Sequence, residues 1–367
     1  MTRGQHNTVV TVGTVTAQRG RYVYGTLGSV ALPSGGVDAL PVIIAAGDEG
    51  PVLWITANIH GNEVTGLAAL HEFLTPDLPR RLHGTLVVLP TLNPAGLRTG
   101  RRRAYYDDQD PNRLFPPSAD AHRDADNSIQ TPHAVLALEV ARAMGASADY
   151  LIDLHCAWTL SLPFTIRDRV LFREESERPA AEALSGRLDT LARAFGLPVV
   201  NEYPAKTYVK QDLHRSAAGF ALNALHIPAF TAELGATGVV QPEAAAAARQ
   251  GIENVLFSLG MLAGSPRPLE GVLKPDPGYP VCREEHPRAP ATGLITYKVR
   301  LGDVVHAGDQ IAALRDIYAR PLNPGVIRTE RDGWIIALCA GMVVYPNTYL
   351  CEMAVRDTEP LVIPYPE

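Results

Sequence analysis

The stretch VLWITANIHGNEVTG, Val52 to Gly66, decides the fold. It begins as an apolar run of strand length, breaks at His-Gly-Asn-Glu, and then takes up the three- and four-residue apolar spacing of a helix. The same texture recurs along the chain. GTLVVLPTL, ADYLIDLH and IPAFTAEL are near-continuous apolar runs, as expected of strands covered on both faces. Between them lie the helical patterns EVTGLAALHEFL, TPHAVLALEVARAMG, ERPAAEALSGRLDTLARAFG and QPEAAAAARQGIENVLFSLGML. Strands alternating with helices predict an α/β fold, with a mixed, mostly parallel sheet flanked by helices.

Upstream, residues 1–46 alternate polar and apolar side chains between Gly and Pro, which predicts short antiparallel strands. Downstream, the helical pattern ends near Leu262 and a Pro-rich stretch follows. Short strands with Gly-Asp and Asp-Gly turns come after it, as in a small β domain. The expected organisation is therefore an α/β catalytic domain over 1–263, a Pro-rich linker over 264–290 and a C-terminal β domain over 291–367. A length of 367 residues suits one large domain and one small one.

Hydrophobic content of 46% with 20% charged residues is that of a water-soluble globular chain, and a net charge of -6 argues against a nucleic-acid partner. The N-terminus shows no apolar segment before a cleavage site, and no run is long enough to span a bilayer. The expectation is a cytoplasmic protein with no membrane partner. Cys156, Cys282, Cys339 and Cys351 are scattered with no C-x-x-C pair, so neither a disulfide framework nor a thiolate metal site is indicated.

In an open α/β sheet ligands bind beyond the carboxyl ends of the strands, which is where His60 and Glu63 fall. An H-x-x-E on that turn can offer an imidazole nitrogen and a carboxylate oxygen to one cation, with Gly61 letting the backbone bend. A Glu opening a helix is also ordinary dipole capping. His155, at the end of ADYLIDLH, supplies a third ligand, and His-Glu-His with an open position is the donor set of catalytic zinc. Asp153 shares a strand face with His155 and either orients it or is a polar strand end. Asn112 and Arg113, enclosed between DP and LFPP, suit a substrate carboxylate. The run Arg101, Arg102, Arg103 reads equally as a solvated loop. Glu233, at the end of IPAFTAEL, is a candidate general base. His71, His83, His122, His133 and His214 read as surface or packing residues, and His226 as core-adjacent.

Together these places resemble the zinc carboxypeptidase superfamily, and within it the succinylglutamate desuccinylase and aspartoacylase branch, which cuts the amide bonds of N-acylated amino acids. The matching elements are HGNE, then NP with DPNRLFP, then DLH, then ELG, in the family's order from Ile55 to Gly235. The resemblance implies one Zn2+ held by His60, Glu63 and His155. It implies Glu233 as general base and then acid, and Asn112 with Arg113 as the substrate carboxylate site. It also implies an arginine that holds the oxyanion, assigned to Arg103 with Arg102 as the alternative. The chain departs from the family in having Pro before Asn112, where many relatives have Leu. The family's substrate-contacting tyrosine has three candidates here, Tyr208, Tyr345 and Tyr349.

The expected function is thus zinc-dependent hydrolysis of the amide bond of a small N-acylated substrate. A peptide-trimming metallocarboxypeptidase and a non-catalytic zinc-binding protein on the same fold are the competing readings. Arg167, Arg169, Lys206, Lys210 and Arg215 are candidates to read an acidic acyl chain. An exposed strand edge in the β domain favours a homo-oligomer.

Overall fold

Apolar strands dictate the centre of the molecule. In the computed structural model, which describes residues 9–118, 131–275 and 277–366, strand Asp48–Ala57 lies deep in the sheet, with Leu53, Trp54 and Ile55 sealed from solvent. It pairs in parallel with His83–Leu89 on one side and Tyr150–His155 on the other, and Tyr150–His155 pairs in parallel with Ala229–Leu234. Those runs are buried on both faces, which is why they read as continuous apolar sequence rather than as alternation. Toward one edge the sheet turns antiparallel through Val37–Ala46 and Arg21–Ala31. The order is mixed overall, parallel at the heart and antiparallel toward both edges.

Helices cover the sheet. Thr65–Phe73, which begins just beyond the HGNE turn, buries Ala69, Leu70 and Phe73 and packs against Pro242–Ser258, whose alanines allow close approach. Helix Pro94–Thr99 starts at Asn93, whose side chain accepts from the Gly96 amide at 2.8 Å, and stops at left-handed Gly100.

The other edge of the sheet begins with a strand inside the stretch read as a linker over 264–290 and is completed by strands beyond it. Val281–Glu285 joins Val199–Asn201 in parallel through Asn201 and Cys282, and then pairs antiparallel with Cys351–Arg356, which pairs with Gly333–Leu338. A separate four-stranded antiparallel sheet, Pro321–Arg328, Gln310–Arg315, Gly293–Tyr297 and Val343–Val344, has its own core around Ile311, Leu314 and Leu350. C-terminal strands thereby extend the central sheet and reach its ligand-binding end. No described helix is long and apolar enough to cross a membrane.

Candidate active site

The HGNE turn is held by a residue just upstream of it. Asn58 adopts φ 54°, a left-handed conformation that Asn tolerates better than most residues. Its amide donates to the carbonyls of His60 (3.2 Å), Gly61 (3.1 Å) and Glu63 (2.8 Å), while its Oδ1 accepts from Thr91. Gly61 meets a different demand. A Cβ there would stand 2.0 Å from the Gly96 carbonyl carbon, backbone against backbone. Gly61→Ala is accordingly expected to cost about 3 kcal/mol, the upper range for overpacking, read as a lower denaturant midpoint at unchanged slope. A midpoint equal to wild type would mean that the helix at Gly96 can slide away.

His60, Glu63 and His155 offer three ligand atoms within 4.8 Å of one another, all on buried residues. Glu63 bridges the two rings: its Oε1 is 2.7 Å from His60 Nδ1 and its Oε2 is 2.9 Å from His155 Nδ1. Each ring's outer nitrogen has its own carboxylate, Asp110 at 3.0 Å from His60 Nε2 and Asp153 at 2.8 Å from His155 Nε2. Asp153 is fixed in turn by Thr56, which donates to it at 2.7 Å. Carboxylates on the outer nitrogens set the tautomer and aim both Nδ1 atoms inward, as imidazoles that bind a metal are aimed. Burial acts to raise the Glu63 carboxyl, but the two imidazoles outweigh it and hold the group well below the ordinary range. Burial acts to lower His155; Asp153 and Glu63 outweigh it and hold the ring well above its ordinary value. The two Nδ1 atoms and the Glu63 carboxylate converge where a divalent cation would sit, so the donor set fits zinc.

Glu233 lies beside this cluster because its strand runs parallel to that of His155 in a register that pairs the two residues directly. It is 8% exposed, its Oε2 accepts no hydrogen bond, and burial pushes the carboxyl up to about 8. The cluster and Glu233 open onto a cavity of about 490 Å3, a volume suited to a small molecule. Asn112 and Arg113 also line it. Asn112 is fixed by its Oδ1, which accepts from the Ala217 amide at 2.9 Å, and Arg113 donates to the carbonyls of Gln211 and Asn112, each at 2.8 Å.

Of the three arginines in sequence, the structure brings Arg102 to the site and leaves Arg103 exposed and off the cavity wall. Arg102 donates to Asp110 at 2.8 Å and approaches Glu63 Oε1 at 3.5 Å, and its carbonyl accepts from Gly61 and from Asn93. Those backbone bonds fix which side chain of the run turns inward, and nothing in a string of like residues records them. Among the described residues no tyrosine lines the cavity: Tyr208 is wholly buried, Tyr345 projects into solvent, and Tyr349 sits 6.5 Å from Trp158, ring to ring.

None of the basic residues that were candidates to read an acyl chain lines the cavity. Arg169 is sealed against Asp357 and the carbonyls of Glu202 and Tyr203. Arg167 pairs with Asp189 and Asn201, Arg215 donates to the Phe115 carbonyl, and Lys206 and Lys210 are exposed. His133 is buried on helix Pro132–Ser147 as a packing residue, His226 is exposed rather than core-adjacent, and His122 lies outside the described residues. Three charged residues absent from the sequence reading enter the cavity from the C-terminal strands: Arg283, Glu285 and Glu352. The one local signal was the alternation in VCREE, which places Arg283 and Glu285 on one strand face.

An α/β sheet presenting a buried His-Glu-His set and an unpaired carboxylate at its strand ends defines a hydrolase of the zinc carboxypeptidase-like class. The chain belongs to the succinylglutamate desuccinylase/aspartoacylase family, whose catalytic-domain model matches residues 49–259; it is a family of amide-bond hydrolases within that superfamily. Over 309 residues the chain is 28% identical to the N-alpha-acetyl-L-2,4-diaminobutyric acid deacetylase of Halomonas elongata, spanning 82% of this chain and 81% of that one. Two solved structures share the fold. The product-bound ectoine utilization protein EutE (DoeB) from Ruegeria pomeroyi has a TM-score of 0.74 and 22% identity, covering 96% of this chain and 100% of that chain. A succinylglutamate desuccinylase/aspartoacylase from Rhodobacter sphaeroides has a TM-score of 0.71 and 20% identity, covering 92% and 96%.

Proposed function

We propose that the chain is a zinc-dependent deacylase of small N-acyl amino acids, with the metal held by His60, Glu63 and His155. The observation that carries this reading is Glu233: a buried carboxyl with an unpartnered oxygen, in register with His155 at the mouth of a small cavity. Zinc, when bound, supplies a Lewis acid that polarises the scissile carbonyl. Glu233 takes the proton of the attacking water and later gives it to the leaving nitrogen. Asn112 and Arg113 hold the substrate carboxylate, and Arg102, in the role first assigned to Arg103, meets charge developing on the carbonyl oxygen. The similarity to a named deacetylase supports the same class of substrate. Residues 1–263 form the catalytic unit in this reading, and the unit over 291–367 helps to wall its cavity.

The test is a hydrolysis screen of N-acetyl, N-formyl and N-succinyl amino acids with the zinc-loaded protein, alongside C-terminal peptide substrates. Release of free amino acid from the first set is the expected result. Trimming of peptides alone would transfer the chain to the carboxypeptidases, and zinc binding without any hydrolysis would leave a binding protein. Within that assay Arg102→Ala is expected to lower kcat by about 10²- to 10³-fold, the usual loss for one oxyanion donor, with a much smaller change for Arg103→Ala. The reverse ranking would return the role to Arg103.

A further inference from the structure

Asn112 and Arg113, the substrate-carboxylate clamp of the deacylase reading, are stitched to one wall segment of the cavity. Arg113 Nε donates to the Gln211 carbonyl at 2.8 Å, and Asn112 Oδ1 accepts from the Ala217 amide at 2.9 Å. Arg215 Nε donates back to the Phe115 carbonyl at 2.9 Å. Gln211 and Leu213 also line the cavity themselves. The placement of residues 205–217 therefore decides where the clamp points.

One side chain pins the start of that segment. Helix Ala205–Lys210 is six residues long, and Tyr208, wholly sealed from solvent, is its one buried residue. A helix this short has no stability of its own in water, so its position comes from what that side chain meets. At its start the Ala205 amide meets only the exposed Glu359 carboxylate. The Tyr208 ring clusters with Tyr203 and Leu213. Its hydroxyl accepts from Asn223 Nδ2 at 3.1 Å, which leaves its single proton for Asp168, to which it is hydrogen-bonded. Both partners are fixed: Asn223 by the Arg169 carbonyl (3.0 Å) and the Leu171 amide (2.8 Å), and Asp168 by burial, at 3% exposed. A Cβ at Gly219 would stand 2.9 Å from the Tyr208 hydroxyl, so the site is closed round it. Burial and the Glu202 carboxylate push Asp168 up to about 8 against the pull of Tyr208, Arg283 and Arg113, so it is largely uncharged at neutral pH.

We propose that Tyr208, through its hydrogen bond to Asp168, is a positioning residue of the carboxylate clamp: it fixes the Gln211 carbonyl, and that carbonyl fixes the Arg113 guanidinium toward the substrate. The inference rests on the deacylase reading and adds to it a residue that never touches substrate, since Tyr208 does not line the cavity. The path is short. Gln211 follows Tyr208 by three residues, and its amide closes on the Thr207 carbonyl at 3.0 Å, so a tilt of the buried ring moves the acceptor of Arg113 with it. Guanidinium forks read carboxylates bidentately, and a tilted fork loses one of its two bonds.

The experiment reads recognition of the carboxylate separately from the chemistry. On the zinc-loaded protein, kcat and KM are measured for the N-acyl amino acid turned over fastest in the hydrolysis screen and for its carboxamide, which lacks the charge. Wild type is expected to prefer the acid by about 100-fold or more in kcat/KM, and Arg113→Ala to remove that preference. Tyr208→Phe keeps the ring and deletes only the hydroxyl. It is expected to shrink the preference by about tenfold through a raised KM for the acid, with turnover of the amide within about threefold of wild type. Asp168→Asn keeps an acceptor of the same shape and should retain the preference, whereas Asp168→Ala should lose it as Tyr208→Phe does. An unchanged preference in Tyr208→Phe, or acid and amide falling together, overturns the positioning role. A wild type that cleaves acid and amide alike overturns it too, while leaving the deacylase reading intact. If no N-acyl substrate is cleaved, the deacylase reading fails, and calorimetric binding of N-acetylglycine and N-acetylglycinamide to wild type and Tyr208→Phe decides separately. Loss of binding confined to the acid supports the role, and equal loss, no loss or no binding to wild type overturns it.

Discussion

Under the zinc deacylase proposal, replacing Glu233 with Gln is expected to lower kcat by about 10²- to 10⁴-fold, the usual range for a lost general base, with metal content equal to that of the wild type. The substitution preserves shape and removes only the ability to accept a proton. Metal content holds because His60, Glu63 and His155 are untouched and draw their supporting contacts from Asp110 and Asp153, not from Glu233. Stability gives an independent check with a definite sign. In the metal-free protein burial pushes Glu233 from its ordinary value of 4.5 up to about 8. A carboxyl whose folded value is raised holds its proton more tightly folded than unfolded, so stability falls as pH rises from the unfolded value toward the folded one. Metal-free wild type should therefore lose stability across that window, and Glu233→Gln should lose less. A variant that keeps near-normal kcat, or that loses activity together with its zinc, would sink the assignment. Rapid-mix kinetics alongside elemental analysis separates these outcomes.

Removing the metal is expected to have an effect at the upper end of that range or beyond it. Chelation should reduce kcat/KM by more than about 10³-fold, since Lewis-acid stabilisation of the reacting carbonyl is worth several kcal/mol and each 1.36 kcal/mol is tenfold. Adding zinc back to the stripped protein should restore activity. The pH dependence of the stripped protein follows from the same cluster. His155 is held above its ordinary value of 6.5, so its contribution to stability is complete below that pH and is lost as pH rises through the folded value. Glu63 is held below its ordinary value of 4.5, so its contribution is present above that pH and is lost as pH falls. The metal-free cluster is thus most stabilising between those two ordinary values. A metal ion binds imidazole only in its deprotonated form, so zinc affinity grows in the opposite direction, with rising pH. The Tm gap between zinc-loaded and metal-free protein should widen between about pH 6 and pH 8, and calorimetry on both forms reads it directly. A gap that stays constant across that range would mean that the metal does not sit on these imidazoles.

Much of the site was legible because its chemistry coincides with visible breaks in pattern. His60, Glu63, His155 and Glu233 each stand where an apolar strand ends, and polar residues just beyond buried strands are conspicuous in a sequence. The inward arginine was not legible, because Arg101, Arg102 and Arg103 are chemically alike and backbone bonds to Gly61 and Asn93 select among them. Asn58 was also passed over, although a lone Asn between an apolar run and a tight turn is a mark of left-handed backbone.

The sequence by itself determined the parallel centre of the sheet, the close grouping of His60, Glu63 and His155 at its strand ends and the carboxylate beside it. Those depend on local periodicity and on short spacings, which carry their own physical signature. Only the tertiary structure decided what else surrounds the substrate. Arg283, Glu285 and Glu352 reach the cavity because Val281–Glu285 and Cys351–Arg356 extend the central sheet past Val199–Asn201. Strand pairing across such distances along the chain is set by the hydrogen-bonding edge left free and by the apolar faces that must be covered, and neither is written in the residues of any one strand.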